Sequence, residues 1–141
     1  MPNSKIKYSI AGNALIFNEK GEILLAHRTD MDRWNFPGGG MEPGETPVQT
    51  TIREAKEEIG VDVEIVKLLG VYTKVDEDDV IFAFICKIVN GIPGLSDEAD
   101  DVKYFSLNKI PTNISRFQRE RIIDAAKNSD EIIFKTQIHN N

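Results

Sequence analysis

Apolar and polar positions alternate along this chain in short blocks that read as strands, with two longer stretches of helical period. Residues 6–17 (IKYSIAGNALIF) are apolar and β-branched enough for a strand. Asn18 to Gly21 is turn chemistry, so residues 22–28 (EILLAHR) read as the return strand of a hairpin. Residues 29–46 carry so many glycines and prolines that a loop of special backbone geometry is expected. A helix follows over 46–59: Thr46 can cap it, Pro47 suits its first position, and Gln49 completes a capping box. Val48, Ile52, Ala55 and Ile59 recur on one helical face, and Gly60 suits the left-handed residue just past the end.

Residues 63–73 and 80–89 read as two strands joined by an acidic loop, Asp76 to Asp79. Asn90-Gly91 signals a further turn, and residues 101–107 a short strand. Residues 113–127 are expected to be helical, with Ile114, Phe117, Arg121 and Ile122 on one side. Residues 131–139 fit either a final strand or a tail. Strands and helices mix without strict alternation, which favours an α/β layered domain with a mixed sheet.

Composition narrows the class. With 141 residues, 40% hydrophobic and 28% charged, one globular domain spanning 1–141 is expected. The formal charge of −6 disfavours a binder of long nucleic acid or of anionic membrane, both of which call for basic surface. The single cysteine, Cys86, excludes an internal disulfide framework and a zinc ribbon. It lies in an apolar run and reads as a small buried residue. The first ten residues lack a signal-peptide core, and no apolar run approaches the roughly 18 residues that span a bilayer. A cytoplasmic protein is therefore expected, without a membrane role.

The chemistry concentrates in residues 39–61, GGMEPGETPVQTTIREAKEEIGV. On a helix, Glu54, Glu57 and Glu58 cover an arc of roughly 100°, set away from the apolar stripe. Their mutual repulsion costs a few tenths of a kcal/mol per pair, about what is found for like charges at this spacing. A hard divalent cation, Mg²⁺ or Mn²⁺, would remove that cost, and such ions suit phosphate substrates. Arg53 lies at i, i+4 to Glu57 and could hold a carboxylate in a bidentate pair. Taken alone, REAKEE would read as a solvated charged face; the glycine-rich loop and Glu45 alter that.

The full spacing, G-x5-E-x7-R-E-U-x-E-E-x-G-U with U aliphatic, is the Nudix box, and the chain resembles a Nudix hydrolase. WNFPGG before the box and LLGVYT and SDEADDVKYFSL after it are also similar to bacterial members. The resemblance implies an α/β/α sandwich around a mixed sheet. It implies Mg²⁺- or Mn²⁺-dependent hydrolysis of a nucleoside diphosphate linked to another group. Its metal ligands map onto Glu54, Glu57 and Glu58, with a backbone carbonyl at Gly39 or Gly40, and Glu98 downstream as a further candidate ligand. Arg53 and Glu45 become braces of loop and helix, Arg53 within the catalytic set. The general base is left open between Glu54, Glu57 and Glu98, with Asp97 and Asp100 behind them.

For substrate contacts the candidates are Arg28, Trp34 and the glycines Gly38, Gly39 and Gly40, with Arg33 a weaker one. Glycines let a backbone approach phosphate closely. His27 and His139 have no metal-ligand spacing to a partner. Nucleoside triphosphates or modified ones lead the substrate expectation, followed by ADP-ribose or nucleotide-sugar types. The proline that some ADP-ribose-cleaving members carry downstream of the box is replaced by Glu77. The alternative is a catalytically inactive Nudix-fold module that binds nucleotide, against which stands the presence of all three box glutamates. The apolar stretch 131–138 could serve a homodimer.

Overall fold

The computed structural model describes residues 7–139. Ile6, the start of the first expected strand, and the last two residues lie outside them. The elements in chain order are strands β1 (Ser9–Ile16), β2 (Ile23–Arg28), β3 (Trp34–Asn35) and β4 (Gly38–Gly40) and helix α1 (Pro47–Ile59). There follow β5 (Asp62–Lys74), β6 (Asp79–Asn90), β7 (Ala99–Phe105), helix α2 (Arg116–Ala126) and β8 (Ile133–Gln137). A five-stranded mixed sheet runs β4-β1-β6-β5-β8, and a three-stranded antiparallel sheet runs β3-β2-β7. In the first, β1 runs parallel to β6 and β5 parallel to β8.

Side-chain alternation builds two cores. Ala14 and Ile16 of β1, Leu24 of β2 and Phe84 of β6 pack with Ala55 and Ile59 of α1. Their neighbours Leu15, Ile23, Leu25 and Ala83 point the other way, into a cluster with Ile122 and Ala125 of α2. The strands thus lie between two helices, the three-layer α/β/α arrangement expected from the sequence. No helix among the described residues is long and apolar enough to cross a membrane.

Three expectations are corrected. Strands β1 and β2 share only the bridge Phe17–Ile23 and belong to different sheets. Residues 12–16 are buried on both faces, so β1 fills a central position and pairs with β4 and β6 instead. The Gly/Pro segment 29–46 is not loop throughout: β3 pairs with β2, and the triplet Gly38-Gly39-Gly40 pairs with β1. The apolar face of α1 is also rotated. Val48 and Ile52 are 38% and 36% exposed, while Thr51, Ala55 and Ile59 face inward. Thr51 can go inside because its hydroxyl donates to the Pro47 carbonyl at 2.9 Å and its bulk meets Gly12 of β1.

Other expectations match. Strands β5 and β6 form a hairpin closed by a 3-10 turn, Val75–Glu77, with Asp78 left-handed. Residues 131–139 yield the edge strand β8 rather than a tail.

Candidate active site

Helix α1 is held at both ends, which fixes where its charged side chains point. Thr46 Oγ1 accepts from Gln49 N–H at 3.2 Å, and Gln49 Oε1 accepts from Thr46 N–H at 2.9 Å. Gly60 ends the helix at φ 74°, a conformation that disfavours any residue with a Cβ.

Arg53 is the hub of the site. Its Nε donates to Glu45 Oε2 at 2.6 Å and its Nη2 to Glu45 Oε1 at 3.0 Å, a bidentate pair. Its Nη1 reaches Glu54 at 2.8 Å and Glu57 at 3.1 Å, and its Nη2 also donates to the Gly40 carbonyl at 3.2 Å. Glu45 accepts in addition from the Glu42 N–H and the Thr50 hydroxyl, both at 2.9 Å. The guanidinium, with those donors, holds the Glu45 carboxyl down to about 2. One cation thus ties the loop before α1 to the helix and orients two of its glutamates.

The inward rotation of α1 carries Glu54 and Glu58 with it, since each lies three residues beyond an inward-facing residue, Thr51 or Ala55. Both carboxylates are partly buried. Burial raises the pKa of Glu54, against the pull of Arg53. Burial raises Glu58 to about 8, although Gly38 N–H donates to its Oε2 at 2.8 Å and favours the charged form. The neighbouring charges of Glu54 and Glu98 push Glu58 the same way as burial.

Glu98 arrives from the segment before β7. That segment is fastened to the end of β2: Thr29 N–H donates to the Glu98 carbonyl at 3.3 Å and the Thr29 hydroxyl to the Asp97 carbonyl at 2.9 Å. The result is that oxygens of Glu54, Glu58 and Glu98 all lie within 4.8 Å of one another. Three carboxylates this close repel, and oxygen donors at this spacing fit a hard divalent cation. The cluster opens on a cleft of about 490 Å³ that Arg28, Asn35 and Gly38 also line.

Gly39 packs directly on this cluster. A Cβ there would lie 2.7 Å from the Glu54 carboxyl carbon, so any larger residue would have to push that carboxylate aside. Gly40, by contrast, gives its carbonyl to Arg53.

The remaining sequence candidates fall as follows. Glu57 stands outside the triad, its side chain 52% exposed and its carboxylate on Arg53. Arg28 lines the cleft while forming a bidentate pair with Asp30 at 2.7 and 2.5 Å. Trp34 does not line the cleft. It is 8% exposed, edge-on to His27 and Phe105, because its register on β3 opposite His27 turns the indole into the core. Asp100 is taken up by His27 Nδ1 at 2.7 Å, and His27 Nε2 meets Asp32 at 2.8 Å. Cys86 is buried, and desolvation pushes its thiol up to about 12, which leaves it unreactive.

Sequence reasoning missed Asn13, Asn35, Lys74 and Gln118, which with Arg33 and Arg121 line a second cavity beside the cleft. The one signal was an arginine on the apolar side of the second helix.

Residues 7–125 match the family model described as NUDIX domain. The chain belongs to the Nudix hydrolase family. A MutT-like protein of Streptomyces ambofaciens is 30% identical over 118 residues, covering 84% of this chain and 77% of that protein. An ADP-ribose pyrophosphatase of Methanocaldococcus jannaschii is 31% identical over 121 residues, covering 82% and 70%. Among solved structures, a Nudix hydrolase of Nitrosomonas europaea superposes with a TM-score of 0.84 at 23% identity, over 94% of this chain and 80% of that one. In this Nudix chain the box supplies the Arg53 hub and two carboxylates of the cluster, Glu54 and Glu58, while Glu98 joins from outside it.

Proposed function

We propose that this Nudix hydrolase, a pyrophosphohydrolase by family, cleaves the diphosphate bond of a nucleoside triphosphate or of another nucleoside diphosphate derivative, with Mg²⁺ or Mn²⁺ as cofactor. The observation that carries the reading is the convergence of Glu54, Glu58 and Glu98 within 4.8 Å in a cleft that Arg28 also lines. The whole chain acts as one catalytic domain.

Glu54, Glu58 and Glu98 would hold the metal, with a carbonyl from the Gly39 main chain. Glu57 would complete the set by exchanging its contact with Arg53. When bound, the metal polarises phosphoryl oxygens and lowers the pKa of water. Arg53 and Glu45 keep the carboxylates in register. Arg28 and the Gly38 and Gly39 backbone position the diphosphate. Glu98, the exposed member of the cluster, takes the proton of the attacking water.

The test is a hydrolysis screen of the purified chain over nucleoside triphosphates, nucleotide sugars and dinucleotides with Mg²⁺ or Mn²⁺, products identified. Release of monophosphate or pyrophosphate that stops with chelator is expected. Nucleotide binding without metal-dependent hydrolysis anywhere in the panel would favour the inactive binding module instead. Glu98→Gln separates the base from a mere ligand: turnover should fall and stay low at saturating Mg²⁺. Full recovery with added metal would remove the base role.

A further inference from the structure

The second cavity holds about 190 Å³ and shares Arg28 and Asn35 with the carboxylate cleft. Its charge is of opposite sign. Arg28, Arg33, Lys74 and Arg121 line it, and no carboxylate does among the described residues. Arg28 is balanced by Asp30, and Lys74 by Glu77 and Asp79. Arg33 and Arg121 have no carboxylate within ion-pair distance among the described residues.

Arg121 is the unusual member. It is 3% exposed, and its two terminal nitrogens donate to neutral amides, Asn13 Oδ1 and Gln137 Oε1, each at 2.9 Å. Its buried Nε has no hydrogen-bond acceptor among the described residues. A buried guanidinium without an anion is costly, and a buried donor without an acceptor adds to that cost. The missing countercharge would be supplied by an anion in the cavity that the residue lines.

The rest of the lining agrees. Gln118 accepts from Phe36 N–H through its carbonyl, which leaves its amide NH₂ to donate. Among the described residues no aromatic ring lines the cavity, and Ile81 is the one aliphatic side chain there. A flat base therefore finds no stacking surface. At about 30 Å³ per water the cavity holds roughly six waters, below the ~300 Å³ at which sites for larger organic ligands begin. Size, charge and donor surplus together suit one phosphate group.

We infer that this cavity binds a phosphate of the substrate other than the two it cleaves between, so that preferred substrates carry an additional phosphate. The placement on the substrate rests on the metal-dependent hydrolase reading; the anion site itself does not. The additional group is the terminal phosphate of a nucleoside triphosphate or a phosphate on a sugar hydroxyl.

Calorimetric titration of inorganic phosphate into the chelator-treated full chain tests the site directly, because without metal the carboxylate cleft repels phosphate. One saturable site is expected, weakened at least tenfold by Arg33→Gln and by Arg121→Met, and unaffected by Glu58→Gln. Lys74→Gln should weaken it too, and stands in for Arg121→Met if that chain does not fold. Absence of saturable binding overturns the inference. So does binding lost in Glu58→Gln but kept in Arg33→Gln, and so does a site filled by an unphosphorylated nucleoside.

In the Mg²⁺ assay, matched pairs differing by one phosphate locate the group. Lower KM for a nucleoside triphosphate than for its diphosphate assigns the terminal phosphate; lower KM for NADPH than for NADH assigns the sugar phosphate. Arg33→Gln should raise KM for the phosphorylated member at least tenfold and leave its unphosphorylated partner unchanged. Equal KM values within both pairs overturn the substrate assignment. If nothing is hydrolysed, the hydrolase reading fails while the phosphate titration still decides the cavity.

Discussion

At the scale of single residues, the site depends on one arginine restraining several acids. Glu54→Gln and Glu58→Gln should each lower turnover at least about 100-fold, a loss of roughly 2.7 kcal/mol of transition-state stabilisation. Initial-rate assays at saturating Mg²⁺ check this, and near-normal rates in both would remove the metal-site assignment. Glu45 gives a different signature. Its carboxyl titrates at about 2 in the fold against an ordinary 4.5, so its contribution to stability is complete above pH 4.5 and is lost as pH falls toward 2. Thermal unfolding should therefore show an acid limb between pH 4.5 and 2 that is shallower in Glu45→Gln. Identical limbs in the two chains would mean that the Arg53–Glu45 pair does not contribute.

At the scale of elements, helix α1 was legible because its signals are local: a capping box, a proline at the first position and a glycine at the end. Its rotation was not. Periodicity counts Val48 and Ile52 as apolar, but burial is decided by what the helix meets, and β1 offers Gly12 to Thr51. The rotation makes Glu54 and Glu58 half-buried acids, which is how they come to share a site with Glu98. Strands β3 and β4 were hidden for a similar reason, since glycine has little strand propensity and β4 exists by its pairing with β1. That pairing sets Gly39 against Glu54. Gly39→Ala should displace the carboxylate and cut kcat/KM by about 100-fold, the order expected for small misplacements in a catalytic array. An unchanged kcat/KM would show that the loop yields to accommodate the methyl group.

At the scale of the whole molecule, the carboxylate cleft was legible in its box half and the phosphate cavity was not. The cavity draws Asn13 from β1, Asn35 from β3, Lys74 from the end of β5 and Gln118 and Arg121 from α2. With Arg28 of β2 and Ile81 of β6 the lining spans six elements, and no spacing along one segment can encode a site assembled that way. Its anchor comes from the far end of the chain. Gln137 of β8 is buried, accepts from Arg121 and donates to the Phe117 carbonyl at 2.9 Å. Gln137→Ala should cost about 1–3 kcal/mol, the penalty of leaving a buried donor unpaired, as read by urea denaturation. A midpoint unmoved by the change would place Arg121's support elsewhere.

The pairing of β1 with β6 also has a consequence in time. Ser9 meets Asp79 across a separation of 70 residues, and the neighbouring β4 must be in place on the other edge. During synthesis β1 emerges first and waits, fully apolar along residues 14–16, until β6 has left the ribosome. Distant pairings of this kind slow folding and lengthen the exposure of unpaired strand edges. The nascent chain is most exposed to aggregation between the appearance of β1 and that of β6, so that interval is when a chaperone that shields apolar strands would matter most.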